Sequence, residues 1–329
     1  MRLNGLRILI TGGAGFIGSN LADALMESNE VVVLDDLSSG RMENIAHHQR
    51  NDGFTFIQGS VLDNEALTRA CEDVDIVFHL AANPEVRVGA EDTWVHIEQN
   101  VLATYRLLEH MRAAHIREIV FTSTSTVYGE ADVIPTPESY GPLVPISTYG
   151  ASKLSCEALI CAYCHTFTMR SWIFRFANIV GQRSRHGVIH DFVEKLMQNP
   201  STLEILGDGT QKKSYLYVKD CVDAILHAIE SSHESVNIFN IGSDDTTEVS
   251  RIAEIVVEEM GLKDVEFRYV DVLDGRGWIG DVRHMLLSCE KLRRLGWVSN
   301  HTSEESIRRA VEDRLMEVGY WTGGESPRR

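Results

Sequence analysis

A chain of 329 residues that is 43% hydrophobic and 24% charged can bury a sizeable core, which excludes a disordered or fibrous protein and suggests one large α/β domain with a smaller appendage. Its formal charge of -17 excludes a general field that would attract nucleic acid or an anionic membrane. Any polyanionic ligand must therefore be held by a local group of donors, which points to a small molecule in a pocket.

The first ten residues, MRLNGLRILI, run straight into a strand without an apolar leader or a small-residue cleavage site, and no later stretch approaches ~18 uninterrupted apolar residues. The expectation is a soluble, cytoplasmic protein with its six cysteines reduced. From residue 6 onward, short β-branched runs alternate with helical patterns. The strands are RILIT, VVVLDD, FTFIQG, DIVFHL, EIVFTS and SWIFRF, and the helices between them begin near Ala14, Glu65, Thr93 and Tyr149. This alternation predicts an α/β fold with a doubly wound (Rossmann) parallel sheet over residues 1–178. After Asn178 the pattern loosens into GQRSRHG, a helix through Val193 and the Gly-rich turn GDGT. A smaller C-terminal α/β substrate lobe is expected over 179–329, with the chain returning to the first domain at about 216–240. In such folds the ligand crevice lies beyond the carboxyl ends of the strands, so the chemistry should follow each strand.

Two patterns are set aside. Cys161, Cys164 and His165 spell the CxxCH of haem attachment but lie inside a continuous helical pattern, and no export signal precedes them. His186 and His190 stand four apart with no acidic residue arranged for metal chemistry between them, so no metal is expected.

Strand RILIT runs directly into Gly12-Gly13-Ala14-Gly15-Phe16-Ile17-Gly18 and then a helix. Glycines at 12, 15 and 18 allow the tight turn, the close approach of a pyrophosphate and the packing of helix on strand, and the helix amides opening at Phe16 and Ile17 face the phosphates. Strand VVVLDD places Asp35 seventeen residues past Gly18, where its carboxylate can accept hydrogen bonds from both ribose hydroxyls. NAD is the expected cofactor, because a 2′-phosphate would meet negative charge at Asp35 and Asp36; Arg41 nearby keeps NADP as the alternative. The ends of the third and fourth strands, Ser60-Val61 and Leu80-Ala81-Ala82, should border adenine and pyrophosphate.

Strand EIVFTS leads into Ser123-Thr124-Ser125-Thr126-Val127-Tyr128, and 25 residues past Thr124 comes Tyr149-Gly150-Ala151-Ser152-Lys153. Tyrosine and lysine four apart share a helical face. An ammonium and a positive nicotinamide ring beside the phenol favour phenolate, which makes Tyr149 a candidate general base. Lys153 would also hold the nicotinamide ribose, and Thr124 would hydrogen-bond the reacting oxygen. YxxxK by itself occurs by chance in many helices; the cofactor signature ahead of it is what gives it weight.

Taken together, TGGAGFIGSNL, DDLSSG, HLAAN, STSTVYGE, YGASK and RFANIVG resemble the extended short-chain dehydrogenase/reductase family, in its UDP-hexose 4-epimerase branch, over nearly the whole chain. The resemblance implies removal of hydride from sugar C4 to a tightly held NAD, rotation of the bound 4-keto sugar, and return of hydride to its other face. It further implies that Ser38, Ser39 and Gly40 touch the adenosine, that Asn100 supports the nicotinamide end, and that Asn178, Val188 and Tyr215 hold the nucleoside diphosphate. A homodimer is implied, joined through the helices from about Glu91 to Ala114 and from Tyr149 to Thr166. Several positions depart from the pattern. Ser60 replaces an adenine-contacting Asp, and Lys213 replaces an Arg, exchanging a bidentate phosphate clamp for a point charge. Trp278 stands where another phosphate Arg is expected, with Arg276 two residues earlier as the substitute. Met285 falls where the family sets its tolerance for an N-acetyl group at C2.

Sister enzymes in the family carry a carboxylate within the two positions after the catalytic hydroxyl, for dehydration or decarboxylation. Here Ser125 and Thr126 occupy them, which favours simple epimerisation, most directly of UDP-glucose and UDP-galactose. UDP-N-acetylglucosamine and UDP-glucuronate 4-epimerases remain as alternatives, as does a nucleotide-sugar dehydratase or decarboxylase. A non-catalytic NAD-binding scaffold is the alternative from another class, and the intact Thr124, Tyr149 and Lys153 argue against it.

Overall fold

In the computed structural model of the chain, residues 2–270 and 282–320 are described. Strands rich in Val, Ile and Leu that are buried on both faces belong in the middle of a parallel sheet covered by helices. Seven strands form one, the edge strand β3 being only partly buried: β1 (Arg7–Thr11), β2 (Glu30–Asp35), β3 (Phe54–Gln58), β4 (Ile76–His79), β5 (Glu118–Thr124), β6 (Arg170–Phe176) and, after the shorter strands given below, β11 (Val236–Ile241). Their order is β3-β2-β1-β4-β5-β6-β11, and every pair is parallel. The strand order reverses between β1 and β4, which opens a crevice there at the carboxyl edge.

Alternate residues of each strand feed opposite faces. Ile8, Ile10, Phe78 and Trp172 pack with Leu21 of α1 (Phe16–Leu25), and with Ile225 and Ile229 of the later helix α7 (Val218–Ser231). Leu9, Val32, Val77 and Phe121 face the other way, against α2 (Asn64–Ala70), α4 (Ala103–Ala113) and α5 (Thr148–Phe167). The helix leading into α4 begins as α3 (Trp94–His96) and runs through a π-helical turn, Ile97–Leu102, that the sequence pattern does not announce.

The second cluster of elements holds β7 (Asn178–Val180), α6 (Val188–Gln198), β8 (Thr202–Leu206), β9 (Lys212–Lys213), β10 (Tyr215–Tyr217), β12 (Thr247–Glu248), α8 (Val249–Glu259), β13 (Glu266–Val270), β14 (His284–Met285) and α10 (Ser303–Glu317), while α9 (Glu290–Arg294) packs Leu292 back into the core under the seven-stranded sheet. Val193, Leu203, Ile205, Ile252, Ile307 and Val311 form its own core. Strand β10 pairs with β7 along one edge. On its other edge hydroxyls of α10 replace a neighbouring strand: Ser303 Oγ accepts from the amide of Tyr215 at 2.9 Å, and Ser306 Oγ accepts from that of Tyr217 at 3.1 Å. Both serines are fully buried. Ser303→Ala therefore leaves a buried amide without a partner and should lower stability by about 1–3 kcal/mol, read by denaturant unfolding.

Candidate active site

The turn after β1 requires glycine for steric reasons. Gly12 has φ +71, and a Cβ there would lie 2.7 Å from the backbone nitrogen of Ala81. A Cβ on Gly18 would collide with the carbonyl of Gly12, and one on Gly15 would stand 3.2 Å from the same oxygen. With no side chains in the way, the chain folds tightly enough for α1 to point its first amides at whatever lies above the turn. At the end of β2, the Asp35 carboxylate is fixed by the amides of Ala14 and Leu37, each at 2.9 Å. Burial pushes its pKa up while those two amides pull it down. Each oxygen keeps a further lone pair for a ligand hydroxyl.

A cleft of about 660 Å³ runs from this turn across the strand ends into the second cluster of elements. Its walls include Gly12, Gly15, Phe16, Ile17 and Gly18; Asp35, Asp36, Ser38 and Ser39; and Ser60, Val61, Leu80, Ala81 and Ala82. Thr124, Tyr149 and Lys153 line its middle, and Asn178, Val188, Lys213 and Tyr215 its far part. Three residues singled out in the sequence stand behind the wall. Gly40 packs on Asp35, where a Cβ would meet Oδ1 at 2.7 Å. Asn100 accepts from the amide of Asn83 at 2.8 Å and donates to Ser152 Oγ at 2.9 Å, pinning the loop after β4 to α5 beside Lys153. Met285 pairs in register with Lys213 and packs against Tyr128, Ala177 and Leu287. Arg276 and Trp278 lie outside the described residues.

The centre is dry. Lys153 is 3% exposed, donates to the carbonyl of Thr122 at 2.9 Å and lies 4.8 Å over the ring of Phe121. Burial lowers its pKa to about 8 and pushes that of Tyr149 well above the ordinary phenol value. Each group alone thus resists its charged form, and an ammonium and a phenolate together relieve both costs. Thr124 Oγ1 accepts from the amide and from the hydroxyl of Thr126, both at 3.2 Å. With both lone pairs engaged, its own proton is left for the cleft.

Sequence reasoning missed a group of cations on the walls: Arg87, Arg183, Arg185 and Arg314. Arg183 is paired with Asp23 at 2.8 Å, and Asp23 also holds His47 and His48 at 2.8 Å. Arg185 and Arg314 share Glu317 at 2.8 and 2.7 Å. Arg183 Nη1, Arg185 Nε and Arg314 Nε are nevertheless buried without a hydrogen-bond partner among the described residues. The two arginines of GQRSRHG stand in a segment whose sequence reads as loop; Arg314 comes from a helix far along the chain and has no local signal. These donors form a local cationic group of the kind that a chain of charge -17 needs to hold a polyanion.

The model of the NAD dependent epimerase/dehydratase family matches residues 8–242, more than half of the chain. The chain belongs to this family. It is 44% identical to a UDP-galactose 4-epimerase of known crystal structure, covering 95% of this chain and 100% of that one with a TM-score of 0.85. It is 31% identical to the Thermus thermophilus UDP-glucose 4-epimerase solved with NAD, covering 94% and 98% with a TM-score of 0.82. The UDP-glucose 4-epimerase of Mycolicibacterium smegmatis is 33% identical over 315 residues, 93% of this chain and 98% of that protein.

A member of this family uses NAD, and the cradle fits it: side-chain-free backbone for the pyrophosphate and a fixed carboxylate at Asp35 for a ribose. Gly18→Ala forces its Cβ into the Gly12 carbonyl and should cut the NAD carried by the purified protein at least ~10-fold, equivalent to about 1.4 kcal/mol, read by chromatography of the released nucleotide.

Proposed function

We propose that this enzyme interconverts C4 epimers of a UDP-hexose, with UDP-glucose and UDP-galactose as the main pair. The observation that carries the proposal is the meeting of Thr124, Tyr149 and Lys153 on one cleft wall, followed by hydroxyls and not carboxylates at Ser125 and Thr126. NAD held in this cradle would supply the reversible hydride-transfer chemistry at C4. Tyr149 takes the proton of the sugar O4 and later gives it back, and Thr124 steadies that oxygen with its free proton. Lys153 keeps a positive charge beside the phenolate and holds the nicotinamide ribose. Gly12, Gly15, Phe16, Ile17, Gly18, Leu80, Ala81 and Ala82 hold the pyrophosphate; Asp35, Asp36, Ser38, Ser39, Gly40, Ser60 and Val61 surround the adenosine; Asn100 keeps the nicotinamide end in place.

Asn178, Val188, Lys213 and Tyr215 hold the nucleoside diphosphate, with Arg276 as a further phosphate donor. Ser125 and Thr126 supply no acid that would drive loss of water or carbon dioxide, so the keto sugar leaves by regaining its hydride. We assign residues 1–178 and about 216–240 to the cofactor domain and the rest of 179–329 to the substrate lobe. Met285, half-buried near that lobe, is the flexible side chain we assign to C2 tolerance, with a UDP-N-acetylhexosamine as the second substrate.

No helix among the described residues is long and apolar enough to cross a membrane, and we place the enzyme in the cytoplasm. We also assign a homodimer. Trp94, Ile97 and Tyr105 on the α3–α4 helix and Phe167 at the end of α5 expose large apolar surface that a second copy would cover.

Purified enzyme given UDP-galactose should form UDP-glucose without added NADH and without net NADH absorbance; release of a 4-keto-6-deoxy sugar, or of a pentose and carbon dioxide, would refute the reading. Tyr149→Phe should keep NAD and nucleotide binding but lose at least ~100-fold in turnover. Light scattering at micromolar concentration should give the mass of two chains.

A further inference from the structure

Tyr149, Lys153 and Glu157 follow one another at four-residue steps along α5, so they share one face of the helix. The first two line the cleft; Glu157 does not. It is 3% exposed and held by Arg175 of β6, equally buried, through Nη2 at 2.6 Å and Nε at 3.0 Å. Ser123 of β5 donates to the same carboxylate. Arg175 also donates to the hydroxyl of Tyr128 at 3.0 Å, and Tyr128 in turn donates to Asn240 of β11 at 2.7 Å.

Two consecutive residues at the end of β5 thereby grip α5: the carbonyl of Thr122 takes Lys153, and the hydroxyl of Ser123 takes Glu157. The next residue is Thr124. A slip of α5 along β5 would break both links and carry Tyr149 away from Thr124.

We propose that Glu157, fixed by Arg175 and Ser123, is the positioning residue of this site: it sets the register of α5 on β5 and supplies the counter-charge of Lys153. The inference rests on the epimerase reading of Tyr149 and Lys153. A buried ion pair is weak support for stability, since apolar side chains of similar volume commonly do as well. What packing alone would not replace is a negative charge one helical turn from the buried ammonium.

The titratable groups around Lys153 leave that task to Glu157. From α5 come Tyr149, Cys156 and Glu157, from β4 His79, and from α3 His96; β5 contributes the Phe121 ring and the Thr122 carbonyl. Burial lowers His79 to about 3, lowers His96 and raises Cys156, so all three are uncharged near neutral pH. Burial pulls Lys153 down to about 8, while Cys156 and Glu157 pull it up; since burial raises the Cys156 thiol and keeps it protonated near neutral pH, Glu157 is the charged one of the two. Loss of the carboxylate removes the charged part of that upward pull, so the ammonium gives up its proton at lower pH.

The test uses NAD-loaded enzyme with 13C-labelled lysine, the Lys153 signal being assigned by Lys153→Met, together with kcat and KM for UDP-galactose across pH. In Glu157→Gln the Lys153 titration and the alkaline limb of kcat should both move down by about one pH unit. Turnover should fall at least ~30-fold, with KM changed less than ~3-fold. The double variant Glu157→Leu/Arg175→Met, which removes the pair together and leaves no guanidinium buried without its carboxylate, should regain thermal stability but neither the turnover nor the Lys153 titration; if Glu157→Gln does not fold, this variant supplies the same readouts. An unmoved Lys153 titration in a folded variant, or a double variant with wild-type turnover, would overturn the inference. A wild type without epimerase activity whose Lys153 titration still moves in Glu157→Gln would count against the reaction assigned and for the counter-charge.

Discussion

The ammonium of Lys153 is buried from water, and much of the site is arranged around keeping it charged. It donates to the carbonyl of Thr122, at the carboxyl end of a central strand. The parallel sheet puts that strand end beside the glycine turn after β1, because β1, β4 and β5 are neighbours in parallel register. A cation and a phenol on one helix, packed over a strand end that borders the cofactor cradle, are thus a consequence of strand order. Burial of Lys153 also strengthens the electrostatic effects on it: in an interior of low effective dielectric a neighbouring charge moves a proton equilibrium far more than it would in water.

The second constraint is the charge of the whole molecule. At -17 the surface repels the diphosphates that the proposed substrate and its cofactor carry. The cleft answers locally, with amides at the start of α1 and with Arg183, Arg185 and Arg314, each tethered to a carboxylate and each with a buried N–H left over among the described residues. Tethering orients the donors in advance, so little ordering is required when an anion arrives. It also joins the parts of the molecule: Arg183 links the loop after β7 to Asp23 on α1, and Asp23 links α1 to the His47–His48 turn.

The sheet was legible because strands buried on both faces read as continuous β-branched runs, and the glycine turn because steric need confines those positions to one residue type. Tyr149 and Lys153 were legible because their spacing is local. The wall arginines were not, since their pairing depends on residues such as Glu317 that approach only in the folded chain. Arg175 was hidden for another reason: it lies inside the apolar run SWIFRF, where one charge looks like an exception in a strand, and its partner Glu157 looks like an ordinary helix surface residue. Only burial of both marks them as a pair. The π-helical turn at Ile97–Leu102 has no sequence signal that we could name.

In the proposed reaction a hydride leaves C4 and comes back to the same carbon. UDP-galactose carrying deuterium at C4 measures this directly. Conversion by the enzyme in ordinary water should give UDP-glucose with the deuterium retained in full at C4, because a hydride passed to and from a cofactor held in the cleft would not exchange with solvent. Loss of the label to water, or its transfer to another carbon, would contradict the mechanism.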